Sequence, residues 1–296
     1  MKTPQMPSPI ITQALGSSAE VWLKREDKHY YGSHKGRSIP LMVATHNKEG
    51  FTSFVISSSG NAALAAIIAI QAHNKNKPKE PLKLHIFIGE NIDWQKEHEL
   101  TDKISNDARI TLNKVPTPKQ AALQFEKNNH AKWLRQSTDE VALLGYAELA
   151  KELAKINQLT AVFIPTSSGT TAEGIHLGFK QLGLNPQIHI IQTTACHPIA
   201  DVVATSPAPP EAPSRAGAIV DKIALRKDAV AEAIRYSHGA GWIATDKDIV
   251  EAEKFAKEKM DLDISPNSAL ALVGLTKAIQ AGFTWTGSVV CLITGQ

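Results

Sequence analysis

Short apolar strands alternate with helices along most of the chain, and this alternation restricts the fold more than any other feature. The segment 53–57 (SFVIS) is apolar and β-branched, and the alanine-rich segment 62–72 that follows it favours a helix. The same order recurs in two further pairs, with strands at 84–89 and 109–115 and helices at 95–105 and 118–128. Because parallel neighbours need a crossover helix, the repeat predicts a parallel sheet with helices on both faces.

A second series of the same kind follows. Its predicted strands are 161–165, 187–192 and 288–293, and its predicted helices are 139–156, 171–182, 227–236, 246–259 and 266–281. The segment 205–216 contains four prolines and predicts a loop. Within the helix 139–156, Glu152 and Lys155 are expected to pair on the exposed face. The chain is therefore predicted to be an α/β protein of two three-layer αβα domains with parallel-type sheets.

Composition excludes several classes of protein. A chain of 296 residues that is 43% hydrophobic and 21% charged is not a disordered tail, and two cysteines are too few for a disulfide framework or metal cluster. The longest apolar run, 62–70, is far shorter than the roughly 18 residues that span a bilayer. The first residues lack an apolar signal segment, and the basic residues are scattered. These features predict a cytoplasmic protein without a nucleic-acid, membrane or metal partner.

Two turns between a strand and a helix are unusually rich in hydroxyl groups. They are 57–61 (SSSGN) and 166–171 (TSSGTT). Free backbone N–H groups at a helix N-terminus favour an anion, although a single turn of this kind is more often an ordinary helix cap. Two such turns suggest two anionic groups, such as a phosphate and a carboxylate. The P-loop, dinucleotide, serine-elbow and zinc-peptidase motifs are absent from the sequence.

A third feature is Lys35, which lies in the segment 32–37 (GSHKGR) shortly before a predicted helix containing Pro40. Most lysines are simply solvated. At a helix N-terminus, however, the helix dipole disfavours the ammonium form, which helps to release the free amine that attacks a carbonyl group.

At these motifs the chain resembles the pyridoxal-phosphate enzymes of fold type II, the tryptophan synthase β-subunit family. This family includes threonine synthase, threonine/serine dehydratase and cysteine synthase. The resemblance covers nearly the whole chain, and its motifs occur in the family's order: 24–27 (KRED) with 32–37, 58–63 (SSGNAA), 167–171 with Gly174, 265–269 (SPNSA), and 294–295 (TG).

The resemblance implies a pyridoxal 5′-phosphate site in a cleft between a small domain, 39–133, and a large domain, 1–38 plus 134–296. Lys35 would carry the cofactor and act in catalysis, Asn61 would face the cofactor's 3′-oxygen, and Thr294 would lie beside the pyridine nitrogen. The residues implied to bind the cofactor phosphate are Ser167, Ser168, Gly169, Thr170 and Thr171. The residues implied to bind the substrate are Ser58, Ser59, Gly60, Asn61 and Arg37.

Within the family, the segments 58–63 and 178–182 (GFKQL) and the terminal Thr-Gly are most similar to threonine synthases. The activity expected from this is that of a lyase that converts O-phosphohomoserine to threonine by elimination and water addition. Arg37 or Lys24 would then bind the substrate phosphate. The alternatives are a threonine/serine dehydratase, a cysteine-synthase-like β-replacement enzyme, and a non-catalytic binding protein of this fold. The resemblance also implies a small amino-acid substrate and a homodimer.

Overall fold

The structure, a computed structural model, describes residues 2–204 and 207–295. The chain divides into two compact units. The smaller unit is Tyr30–Ala142, and the larger joins the residues up to His29 to those from Leu143 onward. The segment 39–133, expected to be the small domain, falls within the smaller unit. Of the predicted loop 205–216, residues 205 and 206 lie outside the described part of the chain, whereas 207–216 form neither helix nor strand, as predicted.

Strands and helices alternate as the sequence predicts, with ends displaced by a few residues. The strands of the described residues are β1 (Gln5–Pro7), β2 (Glu20–Arg25), β3 (Ser53–Ser57), β4 (Lys83–Gly89), β5 (Ile110–Val115), β6 (Lys132–Trp133), β7 (Leu159–Pro165), β8 (Gln187–Thr193), β9 (Gly241–Ala244) and β10 (Ser288–Ile293). The α-helices there are α1 (Pro9–Ala14), α2 (Ile39–Lys48), α3 (Asn61–Asn76), α4 (Trp94–Ile104), α5 (Pro118–Asn128), α6 (Val141–Leu153), α7 (Thr170–Gln181), α8 (Lys227–Tyr236), α9 (Asp246–Met260) and α10 (Pro266–Gln280). Every helix in residues 2–204 and 207–295 is too short or too polar to span a bilayer.

Five short elements were not predicted, namely β1, β2, β6, β9 and α1. Each of these elements has six residues or fewer. A segment of that length holds too few residues to show a clear hydrophobic period. In β2 the signal is weaker still, because Lys24 and Arg25 are charged although they belong to a strand.

The smaller unit has a parallel four-stranded sheet in the order β5-β4-β3-β6. Adjacent residues of β3 point to opposite faces. Phe54 and Ile56 pack in one core with α2, α3 and α4 residues, whereas Val55 belongs to a second core with Ala122 of α5. The predicted three-layer arrangement is therefore confirmed in this unit.

The larger unit has a six-stranded sheet in the order β1-β2-β10-β7-β8-β9. Only β1 runs antiparallel to its neighbour among the strands described here. Phe163 of β7 faces a core formed with α9 and α10, whereas Val162 and Ile164 face a core formed with α6, α7 and α8. Strands buried on both faces explain the uninterrupted apolar runs in the sequence.

A buried ion pair connects the beginning of the chain to α6. Lys24 is fully buried, and its Nζ lies 2.6 Å from Glu152 Oε2 and 2.9 Å from the carbonyl oxygen of Thr3. The pairing of Glu152 with Lys155 was therefore predicted wrongly, because α6 ends at Leu153 and Glu152 turns to the interior. Lys24 is likewise committed to this internal pair, which makes it unsuitable as a ligand of a substrate phosphate.

His189 of β8 is a buried aromatic residue that must stay neutral. Its ring stacks on Phe163 at a centroid distance of 4.5 Å, and the Trp242 indole donates a hydrogen bond of 3.2 Å to its Nδ1. Because an indole can only donate, Nδ1 carries no proton, and Nε2 donates to Gln187 Oε1 at 3.1 Å. Burial lowers the pKa of His189 to about 3.

We therefore predict that His189 makes the protein less stable in mild acid. In the unfolded state, His189 binds a proton below the ordinary histidine pKa of about 6.5, whereas in the folded state it stays neutral down to about pH 3. The free energy of unfolding should therefore fall by about 1.4 kcal/mol for each pH unit between pH 6.5 and pH 3. His189→Phe should remove this contribution. Urea unfolding at pH 7, 6 and 5 measures it by comparison with wild type.

His98→Gln provides the control, because His98 lies on the surface with 64% of its side chain exposed. This variant should keep the pH dependence of wild type. Identical pH dependence in wild type and His189→Phe would contradict the prediction.

Candidate functional site

Lys35 occupies a short 3-10 helix, His34–Arg37, that directly precedes α2. Ser33 caps this helix, since its buried Oγ accepts a hydrogen bond from the backbone N–H of Lys35 at 3.3 Å. Pro40 lies in the first turn of α2, as predicted. The cap and the two consecutive helices fix the backbone at Lys35, whose side chain is only partly buried.

The loop 58–61 leads from β3 into α3, which begins at Asn61. All of its residues are partly exposed, and the backbone N–H of Gly60 donates to Ser58 Oγ at 3.3 Å. α3 packs against the short helix that carries Lys35. Lys35 and the loop 58–61 therefore lie in the same part of the smaller unit. Arg37 is buried, with 8% exposure, whereas the other predicted substrate-binding residues are partly exposed.

The loop 166–169 joins β7 to α7 in the larger unit. Gly169 has φ +95°, and a Cβ at this position would lie 2.8 Å from Val230 Cγ2, so the turn requires glycine. Ser168 Oγ and Thr170 Oγ1 are 3.0 Å apart. The Gly169 carbonyl oxygen accepts the first intrahelical bond, from the N–H of Glu173 at 2.9 Å, so the loop leads directly into the N-terminus of α7, where the helix dipole favours an anion.

Two neighbours reinforce this turn. Ser167 Oγ accepts hydrogen bonds from the backbone N–H groups of Val220 and Asp221 at 3.1 and 3.2 Å. Glu173, in the first turn of α7, would repel an anion, but its carboxylate lies 2.9 Å from Arg226 Nη1. The ion pair neutralises the acidic side chain nearest to the helix N-terminus. A phosphate group fits this set of hydroxyl and N–H donors.

Thr294 follows β10 and is buried, with 5% exposure, at the carboxyl edge of the sheet. Ser268, at the start of α10, lies 3.5 Å from the Thr294 hydroxyl. The hydroxyl groups of Ser265 and Ser268 each donate to the carbonyl oxygen of Gly295 at 2.6 Å. The structure thus brings the motifs 265–269 and 294–295 together, although they are more than twenty residues apart in the chain.

One buried polar residue of this edge was missed by the sequence analysis. Gln192 of β8 is fully buried and donates to the carbonyl oxygen of Ser167 at 3.3 Å. The available signal was a glutamine within the otherwise apolar run 188–192 (IHIIQ). No cluster of candidate metal ligands is present in the part of the chain that the structure describes.

Comparison with known proteins identifies the family. A family profile described as pyridoxal-phosphate dependent enzyme matches residues 1–295. A threonine synthase from Methanocaldococcus jannaschii is 24% identical over 305 aligned residues, which cover 94% of this chain and 70% of that protein.

Solved structures share the fold over the whole chain. Maize serine racemase has a TM-score of 0.81 at 17% identity, with 100% of this chain and 88% of that chain covered. Threonine deaminase isoform 2 from Solanum lycopersicum has a TM-score of 0.80 at 17% identity, with 100% and 84% covered. These likenesses establish the fold class that the sequence predicts.

The loop 166–171 generates a prediction for cofactor affinity. Thr171→Val should weaken the binding of pyridoxal phosphate by about 1–3 kcal/mol, because a charged acceptor would lose a hydroxyl donor. Titration of the cofactor-free protein, followed by the absorbance of the bound cofactor, measures this change.

Thr160→Val is a matched control at the amino end of β7, where Thr160 Oγ1 donates to the carbonyl oxygen of Ser288 at 2.8 Å. It should leave cofactor affinity unchanged. If Thr171→Val also binds the cofactor as tightly as wild type, Thr171 does not contact the phosphate.

Proposed function

Because the chain belongs to the pyridoxal-phosphate dependent enzyme family, we propose that it is a lyase that converts O-phosphohomoserine and water to threonine and inorganic phosphate. Pyridoxal phosphate supplies an aldehyde that links to amino groups and a conjugated ring that accepts electrons from the substrate's α-carbon. The observation that carries the proposal is the neutral Thr294 hydroxyl, buried beside Ser268 at the sheet edge that also bears the loop 166–169.

Lys35 is the residue proposed to hold the cofactor covalently. Its position at the second residue of a capped 3-10 helix keeps the backbone fixed while leaving the side chain partly accessible. The amine of its side chain would form the link to the cofactor. The Lys35 amine is also proposed to move the proton of the substrate's α-carbon.

The loop of the larger unit is proposed to bind the cofactor phosphate. Ser168, Gly169, Thr170 and Thr171 would supply backbone and hydroxyl donors, and Ser167 would complete the set. Two features support this assignment: the tight turn at Gly169, which requires glycine, and the ion pair with Arg226 that neutralises Glu173. A dianion at a helix N-terminus is also favoured by the helix dipole.

Thr294 is proposed to lie beside the pyridine nitrogen. A hydroxyl group is neutral, so unlike a carboxylate it does not stabilise a proton on that nitrogen. The ring is then a weaker electron acceptor, which suits elimination of a leaving group followed by addition of a nucleophile. Asn61 is proposed to donate to the cofactor's 3′-oxygen.

The substrate carboxylate is proposed to bind to Ser58, Ser59, Gly60 and Asn61 at the N-terminus of α3. The partial exposure of all four residues supports this role. In the reaction, the bond between the γ-carbon and the phosphate oxygen breaks, the β-carbon loses a proton, and the γ-carbon gains one to become a methyl group. Water adds its hydroxyl group to the β-carbon, and its remaining proton goes to the released phosphate. Arg37, at the end of the short helix that carries Lys35, is proposed to bind the substrate phosphate.

Attachment of the cofactor to Lys35 can be tested directly. After borohydride reduction of the protein with bound cofactor, peptide mapping should find the pyridoxyl group on Lys35. Lys35→Ala should prevent this labelling, whereas Lys48→Ala, at the end of α2, should not. Labelling of a different lysine in wild type would refute the assignment.

The reaction is tested by two assays run in parallel. Phosphate and threonine should form in equal amounts from O-phosphohomoserine, and Lys35→Ala should abolish both products. Keto acid from serine or threonine, without phosphate from O-phosphohomoserine, would instead identify a dehydratase. Cofactor linked to Lys35 without turnover of any tested amino acid would indicate the non-catalytic binding protein.

A further inference from the structure

Gln192 connects two segments that follow neighbouring strands of the larger unit. Its Oε1 accepts hydrogen bonds from the backbone N–H groups of Ile199 and Ala200, both at 2.9 Å. Its Nε2 donates to the carbonyl oxygen of Ser167 at 3.3 Å. Since two N–H donors face Oε1, the orientation of the amide is determined, and the donor end must be the end that faces Ser167.

The same two segments also touch through their side chains. A Cβ at Gly169 would lie 3.3 Å from Ile199 Cδ1, so Ile199 packs directly against the glycine of the loop. Ile199 is itself fully buried. Gln192 therefore holds the residue that packs on Gly169 and, at the same time, the carbonyl group that begins the turn.

Holding the Ser167 carbonyl also orients a donor for the anion. The peptide group between Ser167 and Ser168 is planar and trans, so the Ser168 N–H points opposite to the carbonyl that Gln192 binds. The hydrogen bond from Gln192 thus directs the Ser168 N–H away from Gln192. A preoriented donor binds an anion better than a mobile one, because its conformational entropy is already lost.

We propose that Gln192 is a positioning residue for cofactor binding, acting through the loop 167–170 on the phosphate group of pyridoxal phosphate. The inference rests on the proposed assignment of this loop. It predicts that substitution of Gln192 lowers the affinity for a ligand that carries the phosphate and leaves the affinity for a ligand without it unchanged. A residue needed only for folding would affect both ligands equally.

The experiment compares pyridoxal phosphate with pyridoxal, which lacks the phosphate group, by titration of the cofactor-free protein. Gln192→Met has a similar length and removes all three hydrogen bonds. It should raise the dissociation constant of pyridoxal phosphate about tenfold, the effect expected of lost hydrogen bonds to a charged ligand's site. The dissociation constant of pyridoxal should change less than twofold.

Asn185→Leu is the matched control. Asn185 precedes β8 at its amino end, and its amide donates to the carbonyl oxygen of Tyr236 at 3.2 Å. This variant should bind both ligands as wild type does. If Gln192→Met does not fold, Gln192→Glu serves instead, since it keeps the acceptor oxygen and removes the donor; it should also weaken pyridoxal phosphate selectively.

Thr171→Val distinguishes the two ways in which the idea can fail. If Thr171→Val weakens the binding of pyridoxal phosphate selectively, while Gln192→Met changes neither ligand's affinity or weakens both alike, the role of Gln192 is refuted and the loop assignment stands. If neither variant discriminates between the two ligands, the loop does not bind the phosphate, and both proposals are refuted.

Discussion

β7 hydrogen-bonds to β10 on one side and to β8 on the other, and all three strands run in the same direction. Their carboxyl ends therefore lie at one edge of the sheet, where open parallel sheets bind ligands. The loop 166–169, Thr294 and Gln192 all emerge or lie near this edge, although the chain separates them widely. Changing the direction of one strand would remove its residues from the edge. The candidate site of the larger unit depends on this parallel pairing more than on any single side chain.

Several buried polar side chains at this edge form hydrogen bonds, mainly with backbone groups. Gln192 bonds to three backbone groups, and Ser265 and Ser268 share the carbonyl oxygen of Gly295. Such bonds hold the loop backbone without adding charge. The electrostatic potential at this edge is then set mainly by the N-terminus of α7. The pair of Glu173 with Arg226 has the same effect, because it cancels the acidic charge closest to α7. Together these contacts hold the loops at this edge without adding net charge.

The smaller unit obtains its rigidity in a different way. Its predicted residues lie on two helix N-termini, those of the short helix at Lys35 and of α3, and these helices pack on each other. His46 of α2 adds a polar anchor within the same unit, since its Nε2 lies 2.6 Å from Asp139 Oδ2. The partial exposure of Lys35 and of the loop 58–61 contrasts with this fixed backbone. Accessible side chains on a fixed backbone are what covalent attachment and carboxylate binding need.

Local patterns in the sequence were sufficient to predict the long helices, the central strands and the turns 57–61 and 166–171. These features depend on hydrophobic periodicity and turn chemistry, which neighbouring residues determine. The roles of Lys24, Glu152 and Gln192 were decided by the tertiary structure. Lysine and glutamate are usually surface residues, and Lys24 and Glu152 are buried as a pair only because β2 and α6 meet in the folded chain. Gln192 acquires its partners only when β8 lies beside β7. Contacts between distant segments arise from packing, and no local pattern in the chain encodes them.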